Sequence, residues 1–483
     1  MPSKTVMVVG GGLSGSLFAL KLARARPDFR VVIVEGGRRL GRGVAYGACA
    51  PQHLLNVPVS RMEVGLTPPF AAWLNGSDAR RAIMAPALAE SGGDLLGAFA
   101  PRALFGDYLQ ARVAEALIHG PGPGLAVARG EAVGYSPSPR PTLRLADGRR
   151  IEGDLVVLAT GNMAPHAPGG PGGWIQDSPW FTPDPWALDA FADLPPGAPL
   201  LLLGTGLTTV DIALKLKDAG HSGPMLALSR RGLAPTVHAA GGAWPAFLEE
   251  ALPASPRRLT RLVRRQAALA TAAGVPWQRV MDAARPAIPA VWRGWTTAQK
   301  RQFMRHLRTR WDVHRHRMAP RIAEALSDLL SDGQLTIEAG RIAGYRVTEE
   351  GGLVEASYRR RAGGEGRFTA ARVINCTGPR RDVAETGLPL LADLRDQGLA
   401  TPDALGLGLE SEDGALLDHR RRPSERLFAL GALTCPSWWE ITAVPEISVQ
   451  VDRLVAKIAE AEDTGAHAHP LAAEDFLDLG AGI

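Results

Sequence analysis

A strand, a glycine-rich turn, a helix and a second strand open the chain, and this order constrains the fold more than any other feature. Residues 5–9 form a short apolar run, which is typical of a buried parallel strand. The run leads into the turn of residues 10–15, and a helical apolar pattern follows over residues 16–26. A second apolar run ends at Glu35, 20 residues beyond Gly15. The sequence therefore predicts a dinucleotide-binding βαβ unit.

Each part of this unit has a physical task in holding a dinucleotide. The first glycine allows the tight turn, the second lets the backbone approach a pyrophosphate, and the third permits close packing of helix on strand. The helix N-terminus attracts the phosphate charge, and the acid would accept hydrogen bonds from a ribose hydroxyl. The alternative is a purely structural βαβ turn. The predicted binding residues are Gly10, Gly12, Leu13, Ser14, Gly15 and Glu35.

A second unit of the same kind starts near residue 198. An apolar strand over residues 199–203 leads into a turn at 204–209, a helix follows, and the next strand ends in Ser229-Arg230-Arg231. An acid at this strand end would repel the 2′-phosphate of NADP, whereas arginine pairs with it. The second unit therefore predicts an NADPH site, with solvated loop arginines as the alternative. The predicted binding residues are Gly204, Gly206, Leu207, Thr208, Thr209, Arg230 and Arg231.

Two further strands end in a Thr-Gly pair, as in flavoproteins that have two nucleotide-binding domains. The first leads into Thr160-Gly161 and the second, over residues 372–374, into Thr377-Gly378. The apolar run before Gly431 is similar to the strand that closes an FAD domain, although Ala432 stands where an aspartate is usual. These signatures predict FAD at the first unit and NADPH at the second.

With these motifs, the chain resembles a bacterial family of FAD/NAD(P)-binding proteins, distantly related to class B flavin-dependent monooxygenases and aspartate N-hydroxylases. The resemblance implies an α/β fold of two Rossmann-like, dinucleotide-binding domains with a helical insertion. It places the FAD domain at residues 1–165 and 370–483 and the NAD(P)H domain at 166–369, with the insertion at about 245–332 covering the active-site cleft. The matching segments are 41–46, 53–58 with Met62, 184–186, 204–211, 229–232, 311–317 and 439–445.

The resemblance also suggests catalytic residues. Asn56 lies in a segment similar to the Asn-x-Pro segment of flavin monooxygenases, where the carboxamide would donate to a flavin C4a-peroxide; alternatively, Asn56 caps a turn. Arg61 and His53 flank this segment and would approach the flavin or substrate, although a histidine among apolar residues is often structural. Glu440 would lie near the flavin pyrimidine edge or favour a helix N-terminus. Further predicted cofactor contacts are Gly43, His53, Leu55, Val133, Thr160, Gly161, Gly431 and Ile441.

Other features limit the function. A net charge of +5 over 483 residues, without a nucleic-acid-binding motif, argues against nucleic acid as a partner. No CxxC pair is present, which excludes dithiol–flavin relay chemistry, and three scattered cysteines fit a reducing cytoplasm. The start of the chain lacks a signal peptide pattern, and no apolar run is long enough to cross a membrane. No metal site is predicted, because His314 and His316 would diverge on a helix; Arg315 or Arg317 would face a bound carboxylate or phosphate, or solvent.

The sequence thus predicts an FAD- and NADPH-dependent monooxygenase that oxygenates a small soluble substrate with O₂ in the cytoplasm. A dehydrogenase or reductase that does not activate oxygen is the alternative within the same fold. A flavin-containing scaffold or redox sensor is a third reading. The oligomeric state is left open, and a homo-oligomer is compatible with the sequence.

Overall fold

The computed structural model describes residues 3–37, 39–120, 124–165, 173–187, 189–248, 252–348 and 352–460. The strands are β1 Thr5–Val9, β2 Arg30–Glu35, β3 Leu125–Arg129, β4 Ala132–Ser136, β5 Thr142–Leu145, β6 Arg150–Glu152, β7 Leu155–Leu158, β8 Phe181–Thr182, β9 Leu200–Leu203, β10 Met225–Ser229, β11 Leu335–Val347, β12 Val354–Arg360, β13 Glu365–Ala370, β14 Arg372–Asn375, β15 Ser411–Glu412, β16 Ala415–Leu417 and β17 Pro423–Ala429. The helices are α1 Leu13–Ala25, α2 Gly43–Gly47, α3 Phe70–Asn75, α4 Asp78–Glu90, α5 Arg102–His119, α6 Leu207–Asp218, α7 Pro256–Ala272, α8 Gln278–Ala284, α9 Ile288–Gly294, α10 Thr297–His306, α11 Arg308–Arg315, α12 Pro320–Ser331, α13 Pro389–Asp396 and α14 Val444–Glu460.

The first sheet combines strands from both ends of the chain, in the order β15-β16-β17-β7-β1-β2-β3. Its five strands from β17 to β3 are parallel, and the central ones are apolar throughout because both faces are covered. Helices α1, α5 and α14 share one hydrophobic core with one face of this sheet. A three-stranded antiparallel sheet, β4-β5-β6, packs with α13 against the other face.

The second sheet has the order β13-β12-β11-β10-β9-β14-β8, with five parallel strands from β11 to β8. Strand β14, Arg372–Asn375, lies here beside β9. The predicted start of the second FAD segment at residue 370 is therefore too early by one strand. Sequence could not show this, because β7 and β14 carry the same Thr-Gly signature. The predicted boundary at 165/166 adjoins residues 166–172, which lie outside the described residues.

Between β10 and β11, the described residues 252–332 contain helices and no strand, as the sequence predicted. Helices α7 to α10 pack their apolar side chains into the core of the first sheet's helical side, with Trp292 stacked on Trp439 at 4.5 Å between ring centroids. Helix α12 instead packs on the second sheet through Leu326 and Leu329. The insertion is therefore shorter than the predicted 245–332 and is anchored on the first domain.

Candidate functional site

In the first glycine-rich turn, backbone segments approach one another so closely that only glycine fits. Gly10 has a φ of +104°, and a Cβ there would lie 2.4 Å from the carbonyl oxygen of Ala159. A Cβ at Gly15 would lie 1.9 Å from the carbonyl oxygen of Gly10. Both positions are sterically closed to any side chain, so β1, β7 and α1 meet as closely as the dinucleotide-binding unit requires.

The helix N-terminus of this unit is open to an anion. Gly12 precedes α1 and provides no side-chain cap, so the first amides, at Leu13 and Ser14, lack a capping acceptor. A Cβ built on Gly12 would lie 3.5 Å from Cα of Gly43, which has a φ of +51°. The segment that begins α2 therefore lies against the turn and forms one wall beside it.

Glu35 holds the turn in shape. Its Oε2 accepts a hydrogen bond from the Gly11 amide at 2.6 Å, and its Oε1 accepts one from the Gly37 amide at 2.6 Å. Each oxygen retains a lone pair for a ribose hydroxyl. Val133 is half-buried in β4, and the start of that strand lies next to Gly36, since a Cβ there would be 3.7 Å from Glu131. The structure therefore brings Val133 to the same strand end as Glu35.

Two further predicted contacts converge on the turn from the neighbouring strands. The buried hydroxyl oxygen of Thr160 has no hydrogen-bond partner among the described residues, and Gly161 follows with a φ of +72°. Gly431 has a φ of +67°, and a Cβ there would lie 2.7 Å from Oγ of Ser14. The amide of Gly431 donates to Oε1 of the buried Gln450 at 2.8 Å, which fixes the loop that contains Ala432.

These observations fit FAD at the first site. An open helix N-terminus can bind the pyrophosphate, Glu35 can accept from a ribose, and the orphaned Thr160 hydroxyl can pair with a polar atom of the cofactor, because buried polar groups normally have partners. Leu55 and Ile441 are buried apolar residues with backbone hydrogen bonds to Ala100 and Trp438, so they can offer only packing and backbone contacts.

The second turn repeats this construction with two differences. Gly204 has a φ of +121°, and a Cβ there would lie 2.5 Å from the carbonyl oxygen of Cys376. Gly206 precedes α6 without a side-chain cap, and a Cβ there would have nothing within 4 Å. Leu207 and Thr208 follow in the first turn of α6, and Thr209 is buried where the first unit has its third glycine. This turn is also open to an anion but lacks a second wall.

The two arginines after β10 have different environments. Arg230 is exposed and has no hydrogen bond or ion pair among the described residues. Arg231 donates from Nη2 to the carbonyl oxygens of Arg305, at 3.3 Å, and His306, at 3.1 Å, at the end of α10. The alternative of solvated loop charges is therefore wrong for Arg231, which contacts the insertion.

His53 and Arg102 join the two domains. Nδ1 of His53 accepts from the Ala50 amide at 3.1 Å, so the neutral ring donates from Nε2 to the Asp211 carbonyl oxygen of α6 at 3.1 Å. Burial lowers the pKa of His53. Burial also acts to lower the pKa of Arg102, but the Asp211 carboxylate, 2.8 Å from Nη1, outweighs it and the pKa is raised. Both ring nitrogens of His53 are thus bonded to protein, as in the structural alternative.

Asn56 lies three residues from this contact. Its backbone carbonyl oxygen accepts from Nε2 of His238 at 2.8 Å. Its half-buried side-chain amide has no hydrogen bond among the described residues and caps no turn, so the turn-capping alternative is not what the structure shows. Arg61 ends the short 3-10 turn Val59–Arg61, and its side chain is exposed. Asn56 is therefore the predicted catalytic residue with free polar atoms at the domain junction.

Glu440 is not the N-terminal acid of a helix, and both of its carboxylate oxygens are bonded to protein side chains. Its Oε1 accepts from Nε1 of Trp311 at 2.5 Å, its Oε2 accepts from Nε of Arg315 at 2.8 Å, and α14 begins four residues later. The side chains of Glu440 and Arg315 are each 4% exposed. Arg315 also reaches Glu446 at 2.9 Å. Glu440 therefore ties the insertion to the first domain.

Arg317 forms a buried ion pair with Asp282 at 2.5 Å. The sequence suggested that Arg315 or Arg317 faces a bound anion or solvent. In the structure both are buried and paired with acids of the protein. Sequence reasoning also missed Arg102, Asp211 and His238 as domain-joining residues. Asp211 stood in a recognised segment, but nothing in a single sequence pairs it with Arg102, 109 positions earlier.

Among the described residues, no group of three His, Cys, Asp or Glu side chains could hold a metal ion. No helix in the described part of the chain is both long and apolar enough to cross a membrane.

Comparisons with known proteins agree with this geometry. Residues 7–163 match a family model described as FAD-NAD(P)-binding, which supports the resemblance over that segment. No curated protein sequence matches the chain.

Many solved structures match its fold, among them the following three. A cadaverine monooxygenase of Erwinia amylovora, bound to FAD, has a TM-score of 0.65 at 13% identity and covers 97% of this chain and 96% of its own. An ornithine N-hydroxylase of Kutzneria sp. 744 has a TM-score of 0.64 at 15% identity, covering 96% and 100%. An L-lysine 6-monooxygenase of Pseudomonas syringae has a TM-score of 0.64 at 16% identity, covering 95% and 99%. The predicted fold, two dinucleotide-binding domains with a helical insertion, is confirmed.

Proposed function

We propose that the protein is an NADPH-dependent flavin monooxygenase that oxygenates a small soluble substrate. The observation that carries the proposal is Asn56, whose unbonded carboxamide lies at the junction of two domains that each present an uncapped helix N-terminus beside a glycine-rich turn. A hydride donor in one site and an acceptor in the other would meet at this junction, because ligands of parallel sheets bind at the carboxyl ends of the strands.

The residues divide the work between the sites. The first turn, Glu35 and Thr160 would hold FAD, and the second turn with Arg230 would hold NADPH. When bound, FAD supplies the chemistry, by accepting a hydride and activating oxygen. The Asn56 amide would donate a hydrogen bond near the reacting atoms, which is a form of preorganised electrostatic stabilisation. His238 would hold the backbone of Asn56 in place.

Primary amines are the first substrate class to test. The structural neighbours are named for cadaverine, ornithine and lysine, and their low identity to this chain leaves amino acids, thioethers and carbon centres as further candidates. For a primary amine, one NADPH, one proton and one O₂ are consumed, and a hydroxylamine, NADP⁺ and water are formed. We propose the cytoplasm as the compartment, because the three cysteines are free.

The experiment supplies the FAD-loaded protein with NADPH and a panel of amines, amino acids and thioethers, and measures oxygenated product and hydrogen peroxide per NADPH oxidised. The proposal expects at least one substrate for which product outweighs peroxide. NADPH oxidation that requires an added electron acceptor and leaves oxygen unused would overturn it in favour of a dehydrogenase or reductase. Failure to oxidise NADPH with every acceptor would instead favour the non-enzymatic scaffold or sensor.

A further inference from the structure

Four arginines from three separate segments gather at the carboxyl end of β10. They are Arg230, Arg231, Arg310 and Arg361, and none forms an ion pair within the described residues. The buried arginines of the domain junction and the insertion are instead paired with acids, as Arg102 is with Asp211 and Arg315 with Glu440. Unmatched positive charges repel one another, so a cluster of this kind favours an anion.

Arg231 is already engaged. Its Nη2 reaches the carbonyl oxygens of Arg305 and His306, which are the last residues of α10. A cation at a helix C-terminus pairs with unsatisfied carbonyls and with the negative end of the helix dipole. Arg231 therefore holds the insertion against the second sheet through Nη2.

Arg361 comes to the same place from the β12–β13 turn. Its amide donates to the carbonyl oxygen of Ala339 at 2.8 Å, and Ala339 pairs with Ser229 in the register of β10 and β11. Gly232, with a φ of +60°, packs so closely on Ala339 that a Cβ would lie 2.9 Å from its nitrogen. The exposed Arg361 side chain thus starts beside the loop that contains Arg230.

Arg310 arrives from the insertion. It lies in α11, one helical turn beyond the His306 carbonyl that Arg231 holds, and its side chain is exposed and unbonded. Burial and the nearby charges of Arg361, Arg310 and Arg230 lower the pKa of Arg231. This mutual repulsion agrees with the close approach of all four groups.

The loop that presents them is rigid. The hydroxyl oxygens of Thr205 and Ser229 lie 2.9 Å apart, Thr205 Oγ1 also donates to the Leu233 carbonyl oxygen at 2.6 Å, and Ser229 Oγ accepts from the Gly232 amide at 3.0 Å. Thr205 belongs to the second glycine turn. The cluster is therefore fixed relative to the place where a dinucleotide pyrophosphate would bind, and it occupies the strand end where the first site has its ribose acid.

We propose that Arg310 and Arg361, together with Arg230, bind the 2′-phosphate of NADPH, and that Arg231 is a positioning residue that keeps Arg310 within reach. The proposal deepens the proposed function, on which its physiological meaning rests. It makes the helical insertion part of the nucleotide specificity site, so discrimination between NADPH and NADH depends on a segment anchored on the FAD domain.

The test measures binding of 2′,5′-ADP and of 5′-AMP to the FAD-loaded protein by calorimetry, without any turnover. Wild type is expected to bind 2′,5′-ADP at least tenfold more tightly than 5′-AMP. Arg310→Ala and Arg361→Ala are each expected to weaken 2′,5′-ADP binding about tenfold, as for loss of one charge-assisted hydrogen bond, and to leave 5′-AMP unchanged. Arg264→Ala, which removes an exposed and unbonded arginine of α7, is the matched control and should change neither.

Arg231→Ala provides a second readout. It should weaken 2′,5′-ADP binding and also increase proteolytic cleavage of the insertion, whereas Arg310→Ala and Arg361→Ala should leave cleavage as in wild type. Equal binding of the two probes by wild type, or unchanged binding in both Arg310→Ala and Arg361→Ala, would overturn the inference. Neither result bears on oxygen activation, which the product assay tests separately with whichever nicotinamide reduces the flavin.

Discussion

The two glycine-rich turns are built alike where the backbone must bend and differently where a ligand would be recognised. Gly10 and Gly204 both have positive φ and both press against a carbonyl oxygen of the neighbouring Thr-Gly strand. Glu35 and Ser229 each bond to a turn residue 24 positions earlier, the Gly11 amide and the Thr205 hydroxyl. The hydrogen bond that ties the strand end to the turn is thus made by a carboxylate in one site and by a hydroxyl in the other.

The difference lies in charge and enclosure. The first turn is walled by Gly43 and ends at an acid, whereas the second has open space at Gly206 and ends among arginines. An enclosed site with a ribose acceptor suits a cofactor that stays bound, and an open basic site suits one that comes and goes in each turnover. The two sites therefore share their architecture. They differ in nucleotide preference because Glu35 of the first site is replaced by Ser229 and arginines in the second.

The largest effect is expected from adding one methyl group to the first turn. Gly15→Ala would place a Cβ 1.9 Å from the Gly10 carbonyl oxygen, so the protein should purify without flavin absorbance or fail to accumulate. Gly206→Ala, at the position equivalent to Gly12, is the contrasting variant in the second turn, because its Cβ meets no protein atom within 4 Å. It should retain FAD and bind NADPH more weakly. A Gly15→Ala protein with full flavin content would show that the close packing at Gly15 is not required for FAD binding.

A second comparison concerns the residue between the two sites. Asn56→Ala should leave flavin content and reduction by NADPH near wild type but shift products from oxygenated substrate to hydrogen peroxide by about tenfold or more, as for loss of one preorganised donor. The ratio of product to peroxide is the measurement. Asn75→Ala, at an exposed helix end, is the control. An unchanged ratio in Asn56→Ala would remove Asn56 from the chemistry.

Glu440 gives a third contrast, between stability and catalysis. Glu440→Gln would weaken a buried ion pair with Arg315 and is expected to cost about 3 kcal/mol in the free energy of unfolding, measured by denaturant titration. The fraction of NADPH used for product should stay as in wild type below the melting temperature. A stable variant with lost coupling would instead restore the catalytic role that the sequence suggested.

The smallest expected effect is a pH dependence of the contact between the domains. Burial, followed by the Arg317 charge, lowers the pKa of His238 to about 4. Above its ordinary pKa of about 6.5, a histidine whose pKa is lowered in the folded state is neutral in both the folded and the unfolded chain, so it does not change the free energy of unfolding. Below that value the unfolded chain takes up the proton first, so stability falls by about 1 kcal/mol per pH unit toward pH 4.

Thermal melts of wild type and His238→Gln between pH 7 and pH 4.5 test this dependence. Glutamine keeps a donor for the Asn56 carbonyl oxygen but does not titrate, so the variant should lose less stability on acidification. Parallel curves for the two proteins would show that His238 does not contribute.

Local spacing explains what the sequence could predict. Each glycine-rich turn and its strand end depend on residues within about 30 positions of one another, and the structure has both turns as predicted. The helical character of the insertion was also predicted, but its extent was not, because packing of α12 on the second sheet is a long-range contact. The ion pair of Glu440 could not be predicted, because its partners Trp311 and Arg315 lie 129 and 125 positions away. Arg310 and Arg361 belong to no motif, and only the folded chain brings them to β10.

Anaerobic reduction of the purified protein tests the central claim, two sites for two different nucleotides, most directly. Equal amounts of NADPH and NADH are mixed in turn with the protein, and the loss of flavin absorbance is followed over time. The structure predicts one FAD per chain and reduction by NADPH at least tenfold faster than by NADH at low concentration. Absence of bound FAD, or equally fast reduction by NADH, would contradict the account.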